Sequence, residues 1–186
     1  MPRACLGGPT QSLSEMNLAR KSAAEGDVAH ELPSRHHNRR MKRSFDVITF
    51  DCYGTLIDWE EGIRTAFRAA AREDGIRLDE TKLIETYAAN ERVVEAEEFR
   101  RYRDVLAESA ARTAHALGWP RDRERCGFLA ESLPSWRPFP DTNAALERLR
   151  DGGISLGILS NVDDDLLEGT RSHFPVSFDI IVTAQQ

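Results

Sequence analysis

A chain of 186 residues with 40% hydrophobic content suits one domain, or one domain carrying an insertion. Its net charge of -6 gives no general attraction for nucleic acid or an anionic membrane, so an anionic substrate must be held by local groups. The three cysteines, Cys5, Cys52 and Cys126, lack metal-binding spacing and suit reduced thiols in the cytosol, and the apolar runs are too short to span a bilayer.

Residues 1–40 hold few large apolar side chains and a basic run, Ser34-Arg35-His36-His37-Asn38-Arg39-Arg40. Such a stretch buries too little surface to offset its ordering entropy and reads as a disordered N-terminal extension. It has neither the apolar centre of a secretory signal nor the acid-poor composition of a transit peptide. Adjacent His36 and His37 in a basic run are expected to be solvated rather than metal-bound. Met41 is a candidate start, with the preceding tail a misassigned start or a dispensable arm.

Residues 45–50 (FDVITF), β-branched and aromatic, predict a buried parallel strand closed by Gly54-Thr55. Asp58 reads as the N-cap of a helix over 59–73 that Gly75 ends. A helical stretch with breaks is expected from 79 towards 117, because Leu83, Ile84, Tyr87, Val94, Phe99, Tyr102, Val105 and Leu106 recur at three and four. On its polar side Glu97 and Arg101, and Glu108 and Arg112, stand four apart. A short helix near 123–133 follows, then a stiff linker with Pro134, Pro138 and Pro140. The pattern returns to α/β with a helix over 142–150, a strand over 154–159, a Ser160-Asn161 turn, a helix over about 163–173 and a strand over 178–183.

Strand, helical insert, helix, strand, helix and strand predict an α/β protein. Its form is a Rossmann-like doubly wound parallel sheet with a helical cap inserted after strand one. The expected divisions are the extension at 1–40, a core with its first strand at 41–57, the helical cap at 58–137, and the continued core at 138–186.

In an open parallel sheet, ligands bind beyond the carboxyl ends of the strands. Asp51 follows the first apolar strand directly, and Ser160-Asn161 follow the second. A carboxylate fixed there and partly desolvated can act as a nucleophile. The Tyr53-Gly54-Thr55 turn would aim backbone N–H groups and the Thr55 hydroxyl at an anionic oxygen, with the Ser160 hydroxyl opposite. On these features alone, an Asp capping a turn opposite a Ser-Asn loop is the favoured reading, since neither feature is rare.

The string FDCYGTLID resembles the first motif of the haloacid dehalogenase superfamily, Asp-x-x-Gly-Thr-Leu after a hydrophobic strand. ILSN at 158–161 resembles its second motif, at a separation that leaves room for a helical cap. The likeness covers roughly residues 45–186. It implies an HAD-like fold with Asp51 as nucleophile, Ser160 as anion-binding hydroxyl, and Thr55 and Asn161 in support. The superfamily's phosphatases usually carry a second Asp two residues after the nucleophile as general acid, where this chain has Tyr53. Halide leaves without a proton, so Tyr53 resembles the form in type II 2-haloacid dehalogenases; a packing aromatic in a phosphatase-like relative is the alternative.

That resemblance implies hydrolysis of a small 2-halocarboxylic acid, resembling (S)-2-haloacid dehalogenase, through an aspartyl ester. It implies substrate contacts from Tyr53, Ser160 and Asn161, no metal and no cofactor. The alternatives are a magnesium-dependent phosphatase-like hydrolase and a non-catalytic fragment or interaction protein. Relatives hold substrate with a cap arginine, but Tyr87-Ala88-Ala89 stand near that position, while Arg92, Arg100, Arg101 and Arg103 suit solvated pairs on a helix face. Tyr87 and Trp59 suit core packing or a pocket wall, and Asp163, Asp164 and Asp165 suit helix capping. The family's lysine motif and fourth motif are absent, with no lysine beyond Lys82. The chain is therefore expected to be a truncated product or partial gene model with little activity. The expected partner is a small-molecule substrate, not nucleic acid or a membrane, with a homodimer left open and a cytoplasmic location.

Overall fold

The computed structural model describes residues 45–185. The extension at 1–40, with His36, His37 and Cys5, lies outside the described residues, as does Met41. Three short strands form one parallel sheet in the order β1 (Val47–Phe50), β2 (Ser155–Leu159), β3 (Ile180–Val182). Val47 pairs with Ser155 and Phe50 with Ile158, while Leu159 pairs with Val182. The strands are shorter than the apolar runs at 45–50 and 178–183, and single backbone bonds prolong the pairing at their starts, Ser155 N–H to Asp46 O at 2.9 Å and Asp179 N–H to Leu156 O at 2.8 Å.

Side chains alternate across this sheet. One face carries Leu156 and Ile158, both buried, with Ile48, Phe50 and Ile181 partly covered. The other face carries Val47, Leu159, Ile180 and Val182, all exposed. Gly157 sits between Thr49 and Ile180 on that open face, where an added Cβ would meet Thr49 Cγ2 at 3.0 Å and Ile180 Cβ at 3.1 Å.

Between β1 and the returning core lie α1 (Trp59–Glu73), α2 (Leu83–Glu95), α3 (Tyr102–Ala116) and a short α4 (Phe128–Ser132). Asp58 caps α1 as expected, accepting the Glu61 N–H at 3.1 Å. The expected run from 79 to 117 breaks at 96–101, where α3 folds back on α2. Phe99 falls in that break and is 83% exposed, so it is not part of the apolar stripe. Leu83, Tyr87, Val94, Val105 and Leu106 are buried as their spacing requires. Helix α1 approaches Trp136 so closely that a Cβ on Gly62 would lie 2.3 Å from the indole.

The insert leaves and rejoins the core at one place. Ile57 bridges Pro138, the Asp58 N–H donates to Arg137 O at 2.9 Å, and the Phe139 N–H donates to Leu56 O at 3.1 Å. Helix α5 (Thr142–Asp151) then leads into β2, and α6 (Asp164–Arg171) joins β2 to β3. The result is an α/β fold with a parallel sheet and an inserted group of helices. No helix among the described residues is long and apolar enough to cross a membrane.

Candidate active site

With Phe50 paired to Ile158, the residues that follow β1 and β2 emerge side by side. Ser160 hydroxyl donates to Asp51 Oδ1 at 3.3 Å, and Thr55 hydroxyl donates to Oδ2 at 3.4 Å. The structure thus joins three of the residues singled out from sequence, one hydroxyl on each carboxylate oxygen. Both bonds are long, as is common in sites without a bound substrate. Asp51 keeps an open side to solvent, yet burial by the surrounding chain raises its carboxyl pKa. Hydrogen bonds from the Cys52 backbone, Ser160 and Thr55 act in the opposite direction.

Thr55 can reach back because the turn closes on itself: the Leu56 and Ile57 N–H groups donate to Cys52 O at 2.8 and 2.9 Å. Gly54 has a φ of +91°, and a Cβ there would lie 2.9 Å from the Trp59 ring, so glycine is required twice over. The expectation that this turn aims its N–H groups at an anion is corrected for Gly54. Its N–H donates to Ile57 O at 2.9 Å, because a residue with this φ closes the turn inward.

Tyr53 points away from Asp51 at its hydroxyl end. Thr170 donates its own hydroxyl to Leu166 O, so the phenol of Tyr53 is the donor in the 2.9 Å bond to Thr170 Oγ1. Its ring meets Trp136 edge to face at 6.2 Å. Burial, with the charges of Cys52 and Asp51, pushes the phenol pKa far up. Asn161 is exposed and makes no hydrogen bond to Asp51 among the described residues.

The acidic run after Ser160 differs from the expectation of simple helix capping. Asp163 occupies the N-cap position of α6 but makes no side-chain bond to that helix. Its buried carboxylate instead accepts the Tyr102 N–H at 3.2 Å and the Arg103 N–H at 3.0 Å, capping α3 from the core side. The first N–H groups of any helix lack partners within it, and here a distant residue supplies one. Asp164 accepts the Thr183 hydroxyl at 2.6 Å, and Asp165 pairs with Arg103.

Asp163, Asp164 and Asp165 are thus engaged with other elements. No group of three or more His, Cys, Asp or Glu side chains among the described residues is arranged to hold a metal ion.

The arginines near Tyr87 are corrected in part. Arg112 pairs with Glu108 at 2.7 Å as spacing suggests, but Glu97 pairs with Arg112 and Arg100, not with Arg101, because the chain turns at 96–101. Arg103 pairs across to Asp163 and Asp165 instead of along its helix. Tyr87 is fully buried, and the half-buried Trp59 covers the Gly54 turn. Sequence reading missed Glu91, whose Oε1 accepts the hydroxyls of Tyr87 and Tyr102, both at 3.0 Å. Burial and then the charge of Glu95 push its pKa up to about 7. The spacing of Tyr87 and Glu91, one helical turn, was a usable signal; the approach of Tyr102 was not.

The sequence profile of haloacid dehalogenase-like hydrolases matches residues 45–185. Among solved structures, a defluorinating L-2-haloacid dehalogenase is similar with a TM-score of 0.66 and 22% identity, covering 79% of this chain and 63% of its own. An L-2-haloacid dehalogenase from Xanthobacter autotrophicus, solved with chloropropionic acid covalently bound, gives 0.60 and 19%, covering 76% and 57%. A magnesium-bound HAD-hydrolase of Bacillus subtilis gives 0.64 and 15%, covering 77% and 66%. The chain thus spans less than two thirds of the length of these first two structures. No curated protein sequence matches the chain.

Proposed function

The chain belongs to the haloacid dehalogenase-like hydrolases, and from that premise we propose that it displaces halide from a small 2-halocarboxylic acid through an ester on Asp51. The observation that carries this reading is the hydroxyl of Tyr53, tied to Thr170 and held protonated by burial. A group so placed does not deliver a proton to a leaving oxygen, whereas halide departs without one. Asp51 Oδ attacks the carbon bearing the halogen; the new C–O bond forms as the C–X bond breaks and halide leaves with the electron pair. Water then adds to the carboxyl carbon of Asp51, the ester C–O bond to that carbon breaks, and the 2-hydroxy acid leaves while one proton passes to solvent and the carboxylate is restored.

In this reaction Thr55 and Ser160 orient the carboxylate through its two oxygens, and on substrate binding Ser160 turns its single hydroxyl proton from Asp51 to the anionic end of the substrate. Tyr53 contributes its ring as a wall, with Asn161 at the exposed rim. Both described cysteines are buried and free, which agrees with work in a reducing, cytoplasmic compartment.

Ester formation needs a single turnover, so it can be read even where steady-state activity is low. Incubation of the chain with 2-chloropropionate is expected to release chloride without added metal. It should also leave a propionate ester on the peptide containing Asp51, and both signals should be lost in Asp51→Asn. An adduct on another residue, or chloride release that survives Asp51→Asn, would sink the proposal. Magnesium-dependent hydrolysis of a phosphate ester in its place would favour the phosphatase-like reading.

A further inference from the structure

The aromatic residues beside the nucleophile turn converge on one acid outside the reacting set. Trp59 lies on Gly54 at near-contact distance, and the Tyr87 ring lies 6.3 Å from the Trp59 ring. The Tyr87 hydroxyl donates to Glu91 Oε1. On the other side Tyr102, anchored at its N–H by Asp163, donates its hydroxyl to the same oxygen. A packed route through Trp59 and Tyr87 therefore leads from the turn that carries Asp51 to this carboxyl group.

Resting on the hydrolase reading above, we propose that Glu91 is a positioning residue. Its carboxyl group ties Tyr87 on α2 to Tyr102 on α3 and so holds the aromatic floor, Trp59 included, against the Tyr53-Gly54 turn. Each phenol bond to a carboxylate is charge-assisted and about twice as strong as a neutral one. Ionised Glu91 grips both tyrosines; protonated Glu91 grips them weakly. The groups that face it are Glu95 from its own helix, which repels its charge, and Tyr87 and Tyr102, which stabilise it. Among the described residues no arginine or lysine forms an ion pair with it. The grip thus tightens as pH rises through neutrality, which makes the geometry above Asp51 pH-dependent.

The test is a pH titration of tryptophan fluorescence on the full chain. One transition is expected near pH 7, preserved in Asp51→Asn and lost in Glu91→Gln and in Trp59→Phe. Tyr102→Phe removes a bond that favours the charged form and should shift the transition to higher pH; Glu95→Gln removes a repelling charge and should shift it lower. A transition that persists in Glu91→Gln, or that stays in place in both Tyr102→Phe and Glu95→Gln, overturns the assignment. The second pair decides the matter even if Glu91→Gln does not fold. Halide release is read separately: its absence from every chain counts against the proposed reaction, while the fluorescence transition alone judges Glu91.

Discussion

Asp51 is held by opposing influences, burial raising its pKa and three hydrogen bonds lowering it. The nucleophile is the ionised form, so the proposed activity rises with pH through that raised value. Ser160→Ala removes one of the lowering bonds and should move the acid limb of the rate profile to higher pH; an unchanged limb would show that Ser160 does not act on the carboxylate. Strand ends made Asp51 and Ser160 candidates, since a parallel sheet presents its ligands there, but it was the resemblance of FDCYGTLID and ILSN to the two motifs that singled them out with Thr55. The partner of the Tyr53 hydroxyl was not legible, because Thr170 lies 117 positions away and only the packing of α6 brings it close. Glu91 was hidden for the same reason: one of its tyrosines is local, the other arrives with α3.

Helix α3 begins without a cap of its own, since Arg101 at its N-cap makes no side-chain bond to it. Asp163, reaching from the loop that also carries Ser160, fills that role. Asp163→Ala should cost about 1–2 kcal/mol in chemical denaturation and speed hydrogen exchange at the Tyr102 and Arg103 amides. Unchanged exchange there would refute the cross-element cap. Element positions were read well where end signals were clear, as with Asp58 and Gly75 around α1, and less well at 96–101. There Phe99 stands three before Tyr102 and so prolongs the spacing of α3 backwards into the turn, although it is five from Val94. Periodicity records which faces could pack, and a turn residue can fall in step with the helix that follows it.

Among the described residues the sheet is covered on one face and open on the other. Leu156→Ala on the covered face should destabilise the chain by about 2–5 kcal/mol. Leu159→Thr on the open face should fall within about 0.5 kcal/mol; comparable losses in thermal unfolding would mean that both faces are packed. Sequence alone gave the order of strands and helices, but not this asymmetry, because Leu156 and Leu159 are chemically identical and differ only in which way the pleat turns them. The junction formed by Ile57, Asp58, Arg137 and Pro138 bears on a different question, that of descent. An excursion that departs and returns at a hydrogen-bonded point leaves the path from Asp51 to Ser160 unchanged whatever its length, and closing a longer loop adds little entropy. The parts of the insert that do not touch the Gly54 turn can therefore be trimmed or enlarged by evolution or by an engineer while the strands hold Asp51 and Ser160 in place.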